Sequence, residues 1–145
     1  MPTRTEPDTC LLLDTHVWIW LLEGVPGKLD RSDIRLITRT SETAGLLVSA
    51  ISVWELGVLE AKGRVSLSTG IHAWVERALD APGVTLAGIS PAIALDASRL
   101  PGASHGDPAD RILIATARQH GARLATRDRA ILDYARTGAL LVHRV

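Results

Sequence analysis

The chain has a single cysteine, Cys10, and it lacks the long apolar runs that secreted and membrane proteins carry. One cysteine cannot form a disulfide within the chain, and its place at the start of a short apolar run is typical of a buried thiol. No apolar stretch approaches the roughly 18 residues of a membrane span, and residues 1–9 lack the apolar middle of a signal peptide. We therefore expect a cytoplasmic protein in which residues 1–9 form a disordered lead-in.

The chain also lacks net charge, because Lys+Arg (16) balance Asp+Glu (16), and Lys28 and Lys62 are the only lysines. A neutral chain has no overall field that attracts nucleic acid, so any such contact must come from a local basic patch. Phenylalanine is absent, whereas tryptophan occurs four times. The tryptophans are therefore the main large aromatic side chains that a core or a partner surface can use.

The pattern of apolar residues predicts one α/β domain over residues 10–145. The chain is long enough for a sizeable core, and 46% of its residues are hydrophobic. Short apolar runs alternate with stretches of helical periodicity, which predicts a parallel sheet covered by helices on both faces. Strands are predicted at 10–13, 46–49, 84–87, 123–126 and 140–142, and helices at about 14–22, 32–43, 52–62, 71–79, 90–95, 107–120 and 128–136.

Three acids stand where such a sheet is expected to place a site. In open parallel sheets, sites form at the carboxyl ends of the strands. Asp14 closes the first predicted strand, Asp128 follows the fourth, and Asp110 begins the helix that leads into the fourth. Asp110 also shares a helix face with the apolar Leu113 and Ile114. An acid on an apolar stripe is partly desolvated, which costs free energy unless a partner compensates.

Each acid also has a purely structural explanation, and the sequence leaves both explanations open. Asp14 and Asp128 fit as N-caps of the helices that follow them, each worth about 1 kcal/mol. Asp107 fits as an N-cap before a proline, and Asp110 fits as a charge that favours the helix N-terminus. Glu55 lies at the edge of an apolar helical stripe, where a solvated glutamate is common. That stripe consists of Ile51, Trp54, Val58 and Ala61.

Considered together, the four acids Asp14, Glu55, Asp110 and Asp128 predict a particular chemistry. Carboxylates that converge within ~4–6 Å repel one another and raise one another's pKa values. A divalent cation removes that conflict, and ligands that are all oxygen favour Mg²⁺ or Mn²⁺. Such a site can activate a water for attack on phosphorus and stabilise the developing charge. The arrangement therefore predicts phosphodiester hydrolysis.

Four stretches resemble the acidic motifs of PIN-domain ribonucleases and, more narrowly, those of the VapC toxins of bacterial toxin–antitoxin pairs. The stretches are Leu11–His16 (LLLDTH), Val48–Leu56 (VSAISVWEL), Asp107–Ala115 (DPADRILIA) and Leu124–Asp128 (LATRD). The resemblance covers residues 10 to 145. It implies a single PIN-like domain, a three-layer α/β/α sandwich with a central, mainly parallel sheet. It also implies Mg²⁺- or Mn²⁺-dependent endoribonuclease activity.

The same resemblance implies roles for particular residues and partners. Asp14 and Asp110 would be direct metal ligands, and two further acids would complete the site directly or through water. Thr126 matches a hydroxyl position that orients the site, and Thr15 is a weaker match. The family further implies a homodimer and a cognate antitoxin, which occupies a groove and inserts a basic residue toward the acids. The acidic quartet matches Asp14, Glu55, Asp110 and Asp128.

An RNA substrate would need positive charge near these acids. Four arginines flank the third and fourth motifs and could contact phosphates, although each could equally be an ordinary solvated side chain. His16 and His105 also lie beside acidic positions, and His105 could touch substrate. The four arginines are Arg111, Arg118, Arg127 and Arg129.

Two tryptophans suggest where a protein partner could bind. Trp18 and Trp20 are two residues apart on one predicted helix, so they cannot both face the same core. Together with Ile34, Leu36 and Ile37 they could form a groove for a partner peptide. The alternative is that both tryptophans pack inside the domain.

Other functions fit the sequence less well. A phosphatase of the haloacid-dehalogenase type needs a second acid two residues after the first, where this chain has His16. A flavodoxin-like receiver domain needs a cluster of acids near the N-terminus and a later lysine, which the chain does not offer. A catalytically silent PIN-like module that binds RNA or a partner stays open, although all four acids are present.

Overall fold

A five-stranded sheet forms the centre of the computed structural model, which describes residues 9–102 and 106–145. The lead-in expected at residues 1–9 lies almost wholly outside the described residues. The strands are β1 (Leu11–Leu13), β2 (Leu46–Ser49), β3 (Val84–Ala87), β4 (Arg123–Thr126) and β5 (Val142–Arg144). Each pair of neighbouring strands in the sheet is parallel, which confirms the prediction from the sequence.

Seven helices within the same residues connect these strands. None of them combines the length and the apolar character that crossing a membrane would require. The helices are α1 (Thr15–Glu23), α2 (Arg31–Glu42), α3 (Ala50–Ala61), α4 (Ile71–Leu79), α5 (Pro91–Ser98), α6 (Pro108–His120) and α7 (Arg129–Ala135).

The central strand β1 separates two hydrophobic cores. Successive residues of a strand point to opposite faces, so Leu12 belongs to one core, while Leu11 and Leu13 belong to the other. Leu12 packs in the core that includes Leu113 of α6, and its two neighbours pack in the core that includes Trp18 of α1. Burial on both faces explains why β1 reads as a continuous apolar run. The fold is therefore the three-layer α/β/α sandwich that the resemblance implied.

The order of the strands determines where a site can form. The sheet runs β3-β2-β1-β4-β5, so the chain first builds outward from β1 in one direction and later returns to add β4 on its other side. A crevice opens outside the carboxyl ends of the two strands at which the direction changes. Asp14 follows β1, and Asp128 follows β4 by two residues. The topology therefore brings two distant acids to one crevice.

Short polar side chains begin several helices by accepting hydrogen bonds from N–H groups of the first turn. The predicted N-caps at Asp14, Asp107 and Asp128 are confirmed. The predicted start of α3 at Ser52 is wrong, because Ser49 is its N-cap and accepts from the Ile51 N–H at 3.1 Å. The last residue of β2 thus also caps the next helix, and no loop separates the two elements.

The apolar stripe predicted on α3 is also wrong. Trp54, which is part of the predicted stripe, is 62% exposed, whereas Ser52 and Leu56 are fully buried. A helix that starts directly from β2 has its rotation set by the strand, and this rotation turns Trp54 outward. Glu55 consequently lies next to the buried face and is only partly exposed.

Two other boundaries differ from the predictions. The last strand is Val142–Arg144 rather than 140–142, because Leu140 is buried in the core before the strand begins and Leu141 is 55% exposed. Helix α5 continues to Ser98 rather than ending at Leu95. In both cases the local apolar pattern correctly predicted the type of element, but packing against distant elements determined where the element begins or ends.

Gly83 is the glycine at which the backbone leaves no room for a side chain. Its φ is +81°, and a Cβ atom there would lie 2.2 Å from the carbonyl oxygen of Ser41. We expect Gly83→Ala to lower the free energy of unfolding by about 2–4 kcal/mol, through left-handed strain and overlap with α2. Chemical denaturation measures the change. Gly88→Ala, at a position with open space, is the control and should shift stability by less than about 1 kcal/mol.

Candidate active site

A cleft of about 480 Å³ opens at the carboxyl ends of β1 and β4. All four acids of the predicted quartet line it, and so does the N-cap Asp107. Aromatic and basic side chains complete its wall. The lining residues are Asp14, His16, Val17, Trp20, Lys28, Glu55, Asp107, Asp110, Arg127 and Asp128.

Asp14 is the most deeply placed of the four acids, with only 9% of its surface exposed. Its backbone N–H donates to the Ala125 carbonyl at 3.0 Å, which anchors it between β1 and β4. One carboxylate oxygen accepts the Thr15 N–H at 2.7 Å, and the other accepts the Thr126 hydroxyl at 2.6 Å. Asp14 is therefore both the N-cap of α1 and a fixed carboxylate at the base of the cleft.

Thr126 links two of the acids. It is fully buried at the end of β4, where its hydroxyl donates to Asp14 and accepts the Asp128 N–H at 3.0 Å. Asp128 in turn accepts the Ile131 N–H at 3.1 Å as the N-cap of α7. The hydroxyl that the resemblance pointed to thus holds the carboxylate after β1 and the backbone after β4 in one arrangement.

Glu55 is oriented by a hydroxyl pair that joins α1 to α3. The Thr15 hydroxyl lies 2.6 Å from Oε1 of Glu55 and 2.8 Å from the Ser52 hydroxyl. A carboxylate can only accept, so Thr15 donates to Glu55 and Ser52 donates to Thr15. Sequence reasoning missed Ser52. Its position one helical turn before Glu55 was the available signal.

Helix α6 contributes the remaining acids of the cleft. Asp107 caps the helix, accepting the Ala109 and Asp110 N–H groups at 2.9 and 3.2 Å. Asp110 lies in the first turn, on the same helix as the fully buried Leu113 and Ile114 that hold α6 against the sheet. Packing of this apolar stripe positions the first turn of α6 beside the ends of the strands.

Burial raises the pKa of two of these carboxyl groups. For Asp14 the main cause is desolvation, which outweighs the hydrogen bonds from Thr126 and Thr15, and the charge of Asp128 raises its pKa further. For Glu55 desolvation again dominates over the hydrogen bond from Thr15, and the charges of Asp14 and Asp107 add to it. The cleft therefore disfavours full ionisation of its own acids unless a positive charge is present.

The donors suit a hard, hydrated cation. Within residues 9–102 and 106–145, no three carboxylate, histidine or cysteine groups lie together as a ready-made ligand cluster. Mg²⁺ does not need such a cluster, since it keeps several waters and uses one or two carboxylates together with substrate phosphates. An acidic cleft in which burial and neighbouring acids raise the pKa values of Asp14 and Glu55 fits such an ion. Asp14 and Asp110 remain the expected direct ligands.

The arginines are distributed unevenly around the cleft. Arg127 lines it, as predicted, and Lys28 joins it from the loop between α1 and α2, where sequence reasoning had assigned no role. Arg111 donates from Nε to the Ala97 carbonyl at 2.7 Å, and Arg118 is paired with Asp96 at 2.9 Å. These two arginines hold α6 against α5, and Arg118 also donates from Nη1 to the Ala139 carbonyl at 2.7 Å. Arg129 is exposed and does not line the cleft, and His105 lies outside the described residues.

The tryptophans of α1 separate as predicted. Trp18 is 1% exposed and packs edge-on against Trp74 at 5.0 Å, whereas Trp20 is partly exposed and lines the cleft. Ile37 of α2 is buried, and Ile34 is 45% exposed. One tryptophan therefore belongs to the core and the other to the site.

The raised pKa of Asp14 predicts how stability depends on pH. A carboxyl group whose folded-state pKa exceeds its unfolded-state value favours folding below the unfolded-state pKa, and this contribution is lost as pH rises through the folded-state pKa. We therefore expect Asp14→Asn to raise the Tm of the metal-free protein at neutral pH and to change it little at low pH. Thermal unfolding in EDTA over a pH series measures this.

Asp30→Asn is the matched control, because Asp30 is the N-cap of α2 and lies outside the cleft. Its pKa is lowered, chiefly by the hydrogen bond from the Asp33 backbone and next by the Ser32 hydroxyl. Its contribution is present above the unfolded-state pKa and is lost as pH falls, so its replacement should not raise the Tm at neutral pH. A neutral-pH Tm of Asp14→Asn below that of the parent would contradict the proposed cost of burying this charge.

Comparison with known proteins places this geometry in a family. The PIN domain model matches residues 11–137, which include all four acids. Ribonuclease VapC22 of Mycobacterium tuberculosis is 38% identical over 126 residues, covering 87% of this chain and 92% of that protein.

Solved structures agree with this assignment at the level of the fold. The chain aligns with a crystal structure of VapBC2 from Rickettsia felis bound to a promoter DNA fragment, with a TM-score of 0.67 and 14% identity, covering 93% of this chain and 98% of that one. A toxin–antitoxin complex from Klebsiella pneumoniae aligns with a TM-score of 0.61 and 22% identity, covering 93% and 99%. The chain therefore belongs to the PIN-domain family and, within it, to the VapC group.

Proposed function

We propose that this protein is a Mg²⁺- or Mn²⁺-dependent endoribonuclease that acts as the toxin of a toxin–antitoxin pair. The observation that carries the proposal is the convergence of Asp14, Glu55, Asp110 and Asp128 on one cleft at the topological switch point of the sheet. The similarity to Ribonuclease VapC22 supports RNA as the substrate.

Different residues of the cleft would have different roles in phosphodiester hydrolysis. A bound divalent cation would act as a Lewis acid on a phosphate oxygen and lower the pKa of a bound water. Asp14 and Asp110 would hold the ion, and the hydrogen bonds from Thr15 and Thr126 keep Asp14 from turning away. Glu55, whose pKa is raised by burial, is suited to accept the proton of the attacking water, since general bases work best with a pKa near the working pH.

Two cations at the cleft reduce the repulsion between its acids and an anionic substrate. Lys28 and Arg127 lie among the lining residues and supply the local positive charge that a neutral chain otherwise lacks. Arg111 and Arg129 remain predicted phosphate contacts that would act only on RNA extending beyond the cleft. Phosphate contacts of this kind position a strand without reading its sequence.

Inhibition by an antitoxin is part of the same proposal. Complexes of the VapBC and FitAB types are among the structures that share this fold. The partly apolar surface of α1 and α2, with Ile34 exposed, is where we expect a cognate antitoxin to bind. A homodimer is the assembly expected from the family.

The test is cleavage of total bacterial RNA by purified protein that has been freed of any partner. We expect discrete fragments with Mg²⁺ or Mn²⁺ and none in EDTA. Asp14→Asn and Asp110→Asn should each lower the rate at least about 100-fold, because each removes charge stabilisation of the transition state. Asp133→Asn, an exposed acid of α7 outside the cleft, is the matched control and should retain the parent rate. Intact RNA from folded protein under either metal would instead support a silent binding module.

Thr126→Val tests whether the buried hydroxyl organises the site. The substitution keeps the shape but removes the donor to Asp14 and the acceptor for the Asp128 N–H. Loss of a group that orients a metal ligand typically costs about 10–100-fold in metal affinity or activity. We expect cleavage by Thr126→Val to need more Mg²⁺, and Thr126→Ser to restore the parent dependence. An unchanged Mg²⁺ titration for the valine variant would show that the hydroxyl is not required.

A further inference from the structure

Two cationic side chains lie over the indole ring of Trp20 at the mouth of the acidic cleft. The guanidinium carbon of Arg127 lies 5.0 Å from the ring centroid, and Nζ of Lys28 lies 5.5 Å from it. The His16 ring is 5.9 Å away and tilted by 46°. All four side chains line the same cleft as the acidic quartet. Hydrolysis at the acids does not by itself explain why an aromatic ring lies beside these cations.

Arg127 is held in place by the main chain and is therefore part of a built surface. Its Nε donates to the main-chain oxygen of Val145 at 3.2 Å, and its Nη2 donates to the Lys28 carbonyl. Trp20 is held from below, because it packs against the core that contains Trp18 and Leu13. The planar guanidinium and the indole ring thus form a fixed surface beside the acids.

Lys28, by contrast, contacts the ring with the ammonium group at the end of a long side chain. The residue is exposed, and its ammonium group ends a four-carbon stem with rotatable bonds. A cation at an exposed ring gains only modest stabilisation, so its ammonium can leave the ring for a phosphate at little cost. Departure of the ammonium from the ring would uncover an aromatic surface next to the acids.

We propose that Trp20 and Lys28 form a nucleotide-binding subsite, in which an unpaired base of the RNA stacks on the indole ring while Lys28 contacts the phosphate of that nucleotide. The proposal deepens the nuclease function and rests on it. Aromatic rings beside positive charge are how single-stranded nucleic acid is held without strict sequence preference, because every base has a flat face. The subsite would hold the strand so that a neighbouring phosphate lies over the acids.

The surroundings of the ring favour a nucleotide over an apolar peptide. A peptide anchor would be expected at an apolar ring, whereas this ring is surrounded by Lys28, Arg127 and His16. Trp54 provides a comparison within the same chain, since it is 62% exposed but does not line the acidic cleft. Only Trp20 combines exposure, cations and proximity to the acids among the four tryptophans, all of which lie in the described residues.

The experiment measures binding of a fluorescein-labelled ten-nucleotide single-stranded RNA of mixed sequence in Mg²⁺. Every protein carries Asp110→Asn so that the RNA stays intact, which a gel confirms. We expect Trp20→Ala to weaken binding about 5- to 150-fold, the range of one lost base stack, and Trp20→Phe to stay within about threefold of the background protein. Trp54→Ala is the matched control and should bind like the background protein.

Two further measurements distinguish base stacking from electrostatic attraction. RNA should quench tryptophan fluorescence in the background protein and in Trp54→Phe, but much less in Trp20→Phe. A strand of equal charge that lacks bases should bind all the proteins equally weakly. The subsite would be overturned if Trp20→Ala bound RNA as tightly as the background protein, or if the background protein bound the strand without bases as tightly as it binds RNA. The first result would leave Trp20 to a protein partner.

The outcome is distinguishable from failure of the nuclease proposal. If the parent chain cleaves RNA but Trp20→Ala binds it as tightly as the background protein, the subsite is wrong and the nuclease stands. If Trp20 stacks on RNA but the parent chain cuts none, the subsite stands and the nuclease proposal fails.

Discussion

The buried carboxylate of Asp14 is the constraint on which the site depends. It follows the central strand, accepts hydrogen bonds from Thr15 and Thr126, and is 9% exposed in a cleft that all four acids line. Burial raises its pKa, so the fold supports this charge at a cost in stability unless a cation is near. For the same reason, the metal ion that we propose for this cleft would stabilise the ionised form of Asp14.

Three of the five acids that line the cleft are also helix caps, and this double role explains how a small domain can place them rigidly. Asp14, Asp107 and Asp128 each begin a helix, so each carboxylate is fixed to a helix N-terminus that favours negative charge. The structural explanation that the sequence left open is therefore correct for these residues, and it does not compete with the proposed catalytic role. Capping fixes each side chain, and all three side chains line the same cleft.

Hydroxyl groups connect these acids across the sheet. Thr126 ties the end of β4 to Asp14, and Thr15 ties α1 to Glu55 with Ser52 behind it. Outside this buried acidic network the cleft wall is aromatic and basic, since Trp20, Lys28 and Arg127 form its outer rim. Acids at the base and an aromatic, basic rim match the two needs of a nuclease, which are a metal for the scissile phosphate and a surface for the rest of the strand.

The sequence by itself determined the α/β class, most element boundaries and the N-caps at Asp14, Asp107 and Asp128. It also picked out the four acids that line the cleft, because all of these depend on periodicity and on residue types next to one another in the chain. The start of α3, the exposure of Trp54 and the register of β5 were decided by tertiary packing, since the rotation of a helix and the register of an edge strand depend on distant partners. Ser52 and Lys28 entered the site for the same reason. Their roles exist only because the strand order brings the ends of β1 and β4 together, and no local pattern records which distant residues will meet there.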